Sequence, residues 1–356
     1  MRVLIDIGHP SHVHYYRNFI NIMQEKGHEF LVAARDKDIT HTLLKIYNIP
    51  FVDKGLGSIS LLGKIKIAFK WDKLLYNLSK EFKPDFYLSF ASPYAAQVSK
   101  IFGKPHITFD DTDHANLNHK MYVPFTDTIF TPEKYLKDFG NKQIRLKSTA
   151  KLFYLHKNYF TPNPDIYKYL KISFDTKFVL LRFVALNAIH DKNEKGISLE
   201  VKLGLAKELS KKYKVFISSE HKLTEELRQY QINIPYEMMH DVLYYAEMII
   251  GDSGMSSEAI ALGTKSIGVW KDINGVHIDE MNNNMLIHYK YSDMSIIDKA
   301  LELLSNPKIK EEARSNAQDL LSRYIDPTAF LVWFFERYPQ SKLRMQSNPE
   351  EQMRFL

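Results

Sequence analysis

Three groups of residues in this 356-residue chain have the types and spacing that chemistry needs. The first is Gly8-His9-Pro10-Ser11-His12-Val13-His14. An imidazole titrates near pH 6.5, so a histidine here suits proton removal from a hydroxyl or pairing with a phosphate. His9, His12 and His14 also invite a metal reading, but zinc needs three or four ligands in fixed geometry, and no His-Glu-x-x-His helix accompanies them. No metal and no cofactor are expected. The second group is Asp110-Asp111-Thr112-Asp113-His114. Carboxylate beside histidine suits acid–base work or the holding of sugar hydroxyls, and one aspartate is expected to cap a helix from about Ala115. The third group is Gly251-Asp252-Ser253-Gly254-Met255, with Glu258 one turn further on. It follows the apolar run Met248 to Ile250 and opens a helix, Met255 to Leu262, closed by Gly263. Amides and dipole at such a helix start favour an anion, Gly254 lets the backbone come close, and Glu258 is placed to accept from sugar hydroxyls. The implied ligand is a phosphate joined to a polyol. The same residues also suit a plain strand–turn–helix with Ser253 as N-cap.

The elements that position these groups alternate between strand and helix. Strands are expected at 2–7, 28–34, 50–52, 86–90, 106–109, 127–131 and 143–147, then at 178–183, 213–218, 232–234, 248–250 and 266–269. A helix is expected from about Val13 to Lys26, and a short one from Glu133. Such alternation builds parallel sheets, whose ligands sit beyond the carboxyl ends of the strands. All three groups fall at such ends. So does Arg182, a natural diphosphate ligand, with His190 in the segment after it and Ser219 at the end of a neighbouring strand.

Residues 240–263 resemble the donor-nucleotide motif of GT-B glycosyltransferases and of the related UDP-N-acetylglucosamine 2-epimerases. The family pattern is a short helix, an apolar strand, Asp-Ser-Gly-Gly, then Glu-Glu-Ala and Leu-Gly. Here Met255 stands for the second glycine and Ser257 for the first glutamate. The resemblance implies that Ser253, Gly254 and Met255 meet the diphosphate and Glu258 the ribose. The first loop is similar to that of the lipid-linked N-acetylglucosaminyltransferase of peptidoglycan synthesis: His12-Val13 matches its His-Val, although most of its glycines are missing. The fold implied is α/β GT-B, two Rossmann-like domains with parallel sheets facing across a cleft, and the chain looks like an uncharacterised family within that superfamily.

On this reading the protein is an inverting, metal-independent glycosyltransferase of polysaccharide or glycoconjugate synthesis, using a nucleotide-sugar, best a UDP-sugar. His12 and Asp111 are the catalytic candidates, Arg182, Ser253, Gly254, Met255 and Glu258 the donor-binding ones. His9, His14, Asp110, Asp113, His114, His190 and Ser219 are further cleft candidates. A UDP-sugar 2-epimerase or hydrolase on the same fold is the alternative, against which counts the missing Arg-Pro-Glu of the epimerases' first loop. A non-catalytic nucleotide-sugar-binding protein is a third.

The expected domains are 1–155, acceptor-side; 165–325, nucleotide-sugar-binding; a helix at 326–338 crossing back to the first; and a polar tail at 339–356. The aromatic stretch 148–163 reads as the linker. Cysteine is absent, which excludes disulfides, thiolate metal sites and a cysteine nucleophile and fits a reducing cytoplasm. The start reads as a strand broken by Asp6 rather than a signal peptide, and no run reaches the roughly 20 apolar residues that span a bilayer. A net charge of +6 draws anionic partners or reflects compositional bias, and no motif supports nucleic acid. Lysines alternating with apolar residues at 64–74 suit either a core helix with solvated lysines or, by the resemblance, peripheral contact with the inner face of a membrane by an enzyme whose acceptor is a sugar, glycan or lipid-linked group.

Overall fold

Runs such as Val3-Leu4-Ile5 and Val179-Leu180-Leu181 are apolar on both faces, which suits strands covered by helices on either side. In the computed structural model, which describes residues 1–58, 60–184, 196–251 and 254–356, these runs form two parallel sheets. The chain divides into one unit of Met1–Tyr159 with Tyr324–Leu356, and a second of Phe160–Arg323.

The first unit holds β1 (Arg2–Ile7), β2 (Glu29–Asp36), β3 (Phe51–Leu56), β4 (Phe86–Phe90), β5 (His106–Phe109), β6 (Thr128–Pro132) and β7 (Gln143–Leu146), in the order β3-β2-β1-β4-β5-β6-β7. The second holds β8 (Phe178–Phe183), β9 (Lys214–Ser219), β10 (Met248–Gly251), β11 (Lys265–Val269) and β12 (Leu286–Tyr289), in the order β12-β11-β10-β8-β9. The order reverses between β1 and β4 in one sheet and between β8 and β10 in the other, and such switch points are where doubly wound sheets bind ligands.

Several expectations change. The first helix is Pro10–Glu25, three residues earlier than expected, because Pro10 fits its first turn and the His9 side chain accepts the Ser11 amide as N-cap. His12 and His14 therefore sit on a helix rather than in a loop. The strand at 232–234 is only a bridge between Ile217 and Gln231, and no helix follows Glu133. β12 was not anticipated: it is a four-residue edge strand behind an asparagine run.

The aromatic stretch near 150 is not solvent-facing: Phe153 and Tyr154 are buried in the first unit. Residues 339–356 are not a loose tail. They form a helix, Gln340–Ser347, and a 3-10 turn, Pro349–Phe355, with buried Gln352 accepting the Lys147 amide at 2.8 Å. The helix Pro327–Glu336 lies in the first unit and inserts Phe330, Phe334 and Phe335 into its core. Each such ring contributes about 1.5–3 kcal/mol by burial. Asp326 caps that helix through the amides of Thr328 and Ala329, and also accepts from Asn158 and Tyr159. The helix Leu61–Phe82 leaves Leu62, Ile65 and Phe69 exposed among its lysines. Among the described residues no helix is long and apolar enough to cross a membrane.

Candidate functional site

At the switch point of the first sheet, His12 stacks beside two aromatic rings, 4.9 Å from Phe90 and 6.0 Å from Tyr15, which are themselves 5.2 Å apart. Phe90 ends β4 and Tyr15 follows on the same helix as His12, so one turn of helix and one strand end build the wall. Burial, reinforced by nearby His9, Lys37, Lys151 and Lys54, pushes the His12 pKa well below 6.5. The ring is thus neutral at physiological pH. The Gly8 amide donates to its Nδ1 at 3.3 Å, which puts the proton of the neutral ring on Nε2.

Lys151 donates to the Tyr15 hydroxyl at 2.9 Å and lies over its ring at 5.3 Å. Asp111 accepts from the Thr112 hydroxyl at 3.2 Å. Its pKa is raised, mainly by burial, against the pull of Lys151. A small cavity of about 20 Å³, room for about one water molecule, lies beside Asp111 and is lined by Phe90, Phe109, Asp110, Asp111, Phe130 and Phe153 among others. Its wall is mostly apolar, with the carboxyl groups of Asp110 and Asp111 on it.

The other members of the two clusters do different things. Asp110 is buried, accepts from Tyr122 at 2.6 Å and the Thr112 amide at 2.8 Å, and pairs with His119 at 3.0 Å. Asp113 accepts the Leu136 amide at 2.7 Å. No aspartate caps the helix, Asn116–Tyr122: its N-cap is Ala115, without a side-chain bond, because the carboxylates are drawn to these more distant partners. His114 and His9 are exposed, while His14 is buried and stacked on Tyr154 at 5.1 Å. Among the described residues no group of three His, Asp or Glu side chains is arranged to hold a metal ion.

Beneath this edge a buried ion pair joins Lys54 to Asp6, whose other oxygen accepts from Ser92 at 2.5 Å. It ties β1, β3 and the helix after β4 together. Nothing in the sequence marks Lys54 or Lys151, because one follows the expected strand at 50–52 in a Gly- and Ser-containing segment and the other lies in a stretch that reads as linker.

At the switch point of the second sheet, Arg182 of β8 stands in register with Gly251 of β10. A Cβ at Gly251 would lie 2.9 Å from the Arg182 Cβ, so only glycine lets the two meet. The guanidinium donates to the Ser218 hydroxyl at 2.9 Å and pairs with Glu220, while its Nε is buried without a partner among the described residues. The residue expected to bind a diphosphate thus pairs with a carboxylate. Ser219 closes a turn with His221.

Gly254 is the N-cap of the helix Met255–Ala261, with no side-chain cap bond. Met255 is half-buried at its start. Glu258 faces buried His240 at 3.9 Å, a neighbour that sequence reasoning left in the background. Ser253 and His190 lie outside the described residues.

Comparisons with known proteins agree with this architecture. The family described as "Protein of unknown function (DUF354)" matches residues 1–328. An uncharacterised protein of Methanocaldococcus jannaschii is 27% identical over 300 residues, covering 80% of this chain and 87% of its own. Among solved structures, that of S. aureus MnaA with UDP has a TM-score of 0.72 at 13% identity, covering 96% of this chain and 97% of that one. UDP-N-acetylglucosamine 2-epimerase of Neisseria meningitidis, bound to UDP-N-acetylglucosamine, has 0.65 at 16%, covering 90% and 98%. The glycosyltransferase SsfS6 of Streptomyces sp. SF2575 has 0.61 at 13%, covering 95% and 100%. At these identities the likeness is one of fold: two Rossmann-like parallel sheets of the GT-B type.

Proposed function

The chain belongs to the DUF354 family, and we propose that it is an inverting, metal-independent glycosyltransferase taking a UDP-sugar as donor. The observation that carries this reading is His12, a neutral, aromatic-walled histidine at the switch point of the first sheet. The acceptor hydroxyl gives its proton to His12 Nδ1, displacing the Gly8 amide from a bond already long at 3.3 Å. The acceptor oxygen then bonds to the anomeric carbon as the bond from that carbon to the diphosphate breaks. Arg182 and the amides around Gly254 stabilise the charge that leaves on the diphosphate. Glu258 holds the ribose hydroxyls. Asp111, kept protonated more readily by burial, donates to a sugar oxygen.

The raised pKa of Asp111 also favours a second reading, 2-epimerisation, which needs a carboxyl group as acid and base. Solved relatives of the same fold include an epimerase and a glycosyltransferase. The test is proton NMR of UDP-sugars with the protein. UDP release that requires an added acceptor and vanishes in His12→Ala supports transfer. Exchange at the sugar's second carbon without acceptor replaces it with epimerisation. UDP binding with neither leaves a binding protein.

Leu62, Ile65 and Phe69, exposed among Lys66, Lys70 and Lys73, support a lipid-linked acceptor at an anionic membrane surface. Co-sedimentation with phosphatidylglycerol vesicles that persists in Phe69→Asp would remove that part of the reading.

A further inference from the structure

The carboxyl edge of the second sheet holds a second residue placed as Arg182 is. Gly251 of β10 stands in register with Arg182 on one side and with Gly268 of β11 on the other. A Cβ at Gly268 would lie 2.2 Å from Cζ3 of Trp270, so this glycine clears the floor for the indole as Gly251 does for the arginine. Each of the two side chains carries a buried N–H without a hydrogen-bond partner among the described residues, Nε of Arg182 and Nε1 of Trp270. Buried donors left unmade are uncommon in folded proteins and ask for an explanation.

Trp270 is also held. Its carbonyl accepts from His288 Nε2 at 2.6 Å, and its ring lies 4.8 Å from His277 and 5.2 Å from His288. His277 is fixed in turn. It shares a reciprocal cap with Asn274, whose amide donates to His277 Nδ1 at 3.2 Å while Asn274 Oδ1 accepts the His277 amide at 3.0 Å. With Nδ1 accepting, the neutral His277 ring carries its proton on Nε2. β8 and β11 are two strand spacings apart, about 10 Å. That matches the reach from a diphosphate to the oxygens of a sugar attached to it.

We propose that Trp270 forms the sugar subsite of the donor, its indole Nε1–H donating to an oxygen of the hexose whose diphosphate lies at Arg182 and Gly254. This rests on the donor-site reading of the second unit. It assigns Trp270 to recognition of the sugar and not of the nucleoside, so the residue distinguishes a nucleotide-sugar from the bare nucleotide.

Trp270 is the sole tryptophan of the second unit, since Trp71 and Trp333 lie in the first. The experiment is a titration of wild type and Trp270→Phe with UDP, UDP-glucose and UDP-N-acetylglucosamine, read by calorimetry and tryptophan emission. The expected result is that UDP binds both proteins alike and leaves the emission unchanged. At least one UDP-sugar should change the wild-type emission and bind the variant about tenfold more weakly, the effect of one buried hydrogen bond. Retained UDP binding shows that the variant is folded. Equal affinity of both proteins for every UDP-sugar overturns the subsite while leaving the donor-site reading intact. If UDP binds neither protein, the donor-site reading falls and takes this inference with it.

Discussion

At the end of β1 a histidine is walled by Tyr15 and Phe90 and held neutral, whereas at the end of β8 an arginine pairs with Glu220. The first edge is aromatic, and its Asp111 and His12 are shifted toward their uncharged forms. The second has glycines under its strand ends, two buried donors without partners among the described residues, and an ion pair between Arg182 and Glu220. Desolvation tunes groups that pass protons; displaceable ion pairing suits groups that must bind and release a charged ligand. On the proposed function, the two edges of one chain separate chemistry from capture.

The largest effect that would break this division is in catalysis. His12→Ala and Asp111→Asn should each lower turnover by about 10²–10⁴ with the affinity for UDP unchanged. A parallel loss of UDP binding would mean that the first edge also captures the nucleotide. His12→Gln sharpens the assignment. Glutamine can imitate an Nε2–H donor but cannot take a proton, so turnover retained in that variant would reduce His12 to a hydrogen-bond donor.

Next in size is Lys54→Met, which leaves Asp6 buried and uncompensated. It should cost the first unit about 3–5 kcal/mol, seen as an earlier thermal transition, with UDP affinity preserved. Smaller again is a pH effect. His106 is buried against Ser89 and Thr126, and burial pushes its pKa to about 3. The unfolded chain takes up that proton near pH 6.5 and the folded chain does not. Stability should therefore be complete above pH 6.5 and fall as the pH drops toward 3, by about 2 kcal/mol at pH 5. Thermal melts between pH 7.5 and 5 check this, and the slope should shrink in His106→Gln. The smallest expected change is at the second edge. Glu220→Gln frees the guanidinium of Arg182 and should tighten UDP severalfold, and Arg182→Ala should weaken it about tenfold, both by calorimetry. No response to Glu220→Gln would show that the carboxylate does not compete for the arginine.

What could be read in the amino-acid order follows from what is local. Apolar runs of four to six residues separated by helical stretches located nearly every strand, and Asp110 to His114 announced itself by density alone. The partners of those residues could not be read. Asp6 meets Lys54 and Ser92, and Tyr15 meets Lys151, across separations of 48, 86 and 136 residues. Such pairs exist only once strand order is fixed. Asp113 shows the converse error: its local propensity to cap a helix lost to the Leu136 amide, a partner from a later turn.

The helix Pro327–Glu336 has a consequence for how the protein is made. The rings of Phe330, Phe334 and Phe335 close the core of a unit whose first strand begins at Arg2. A ribosome therefore delivers all of the second unit before it delivers the residues that complete the first. The contiguous unit can fold as it emerges, while the earlier-born sheet waits with an open apolar face until the last stretch of chain arrives. A stalled or truncated product lacking residues 324–356 should be a client of chaperones through its first half alone.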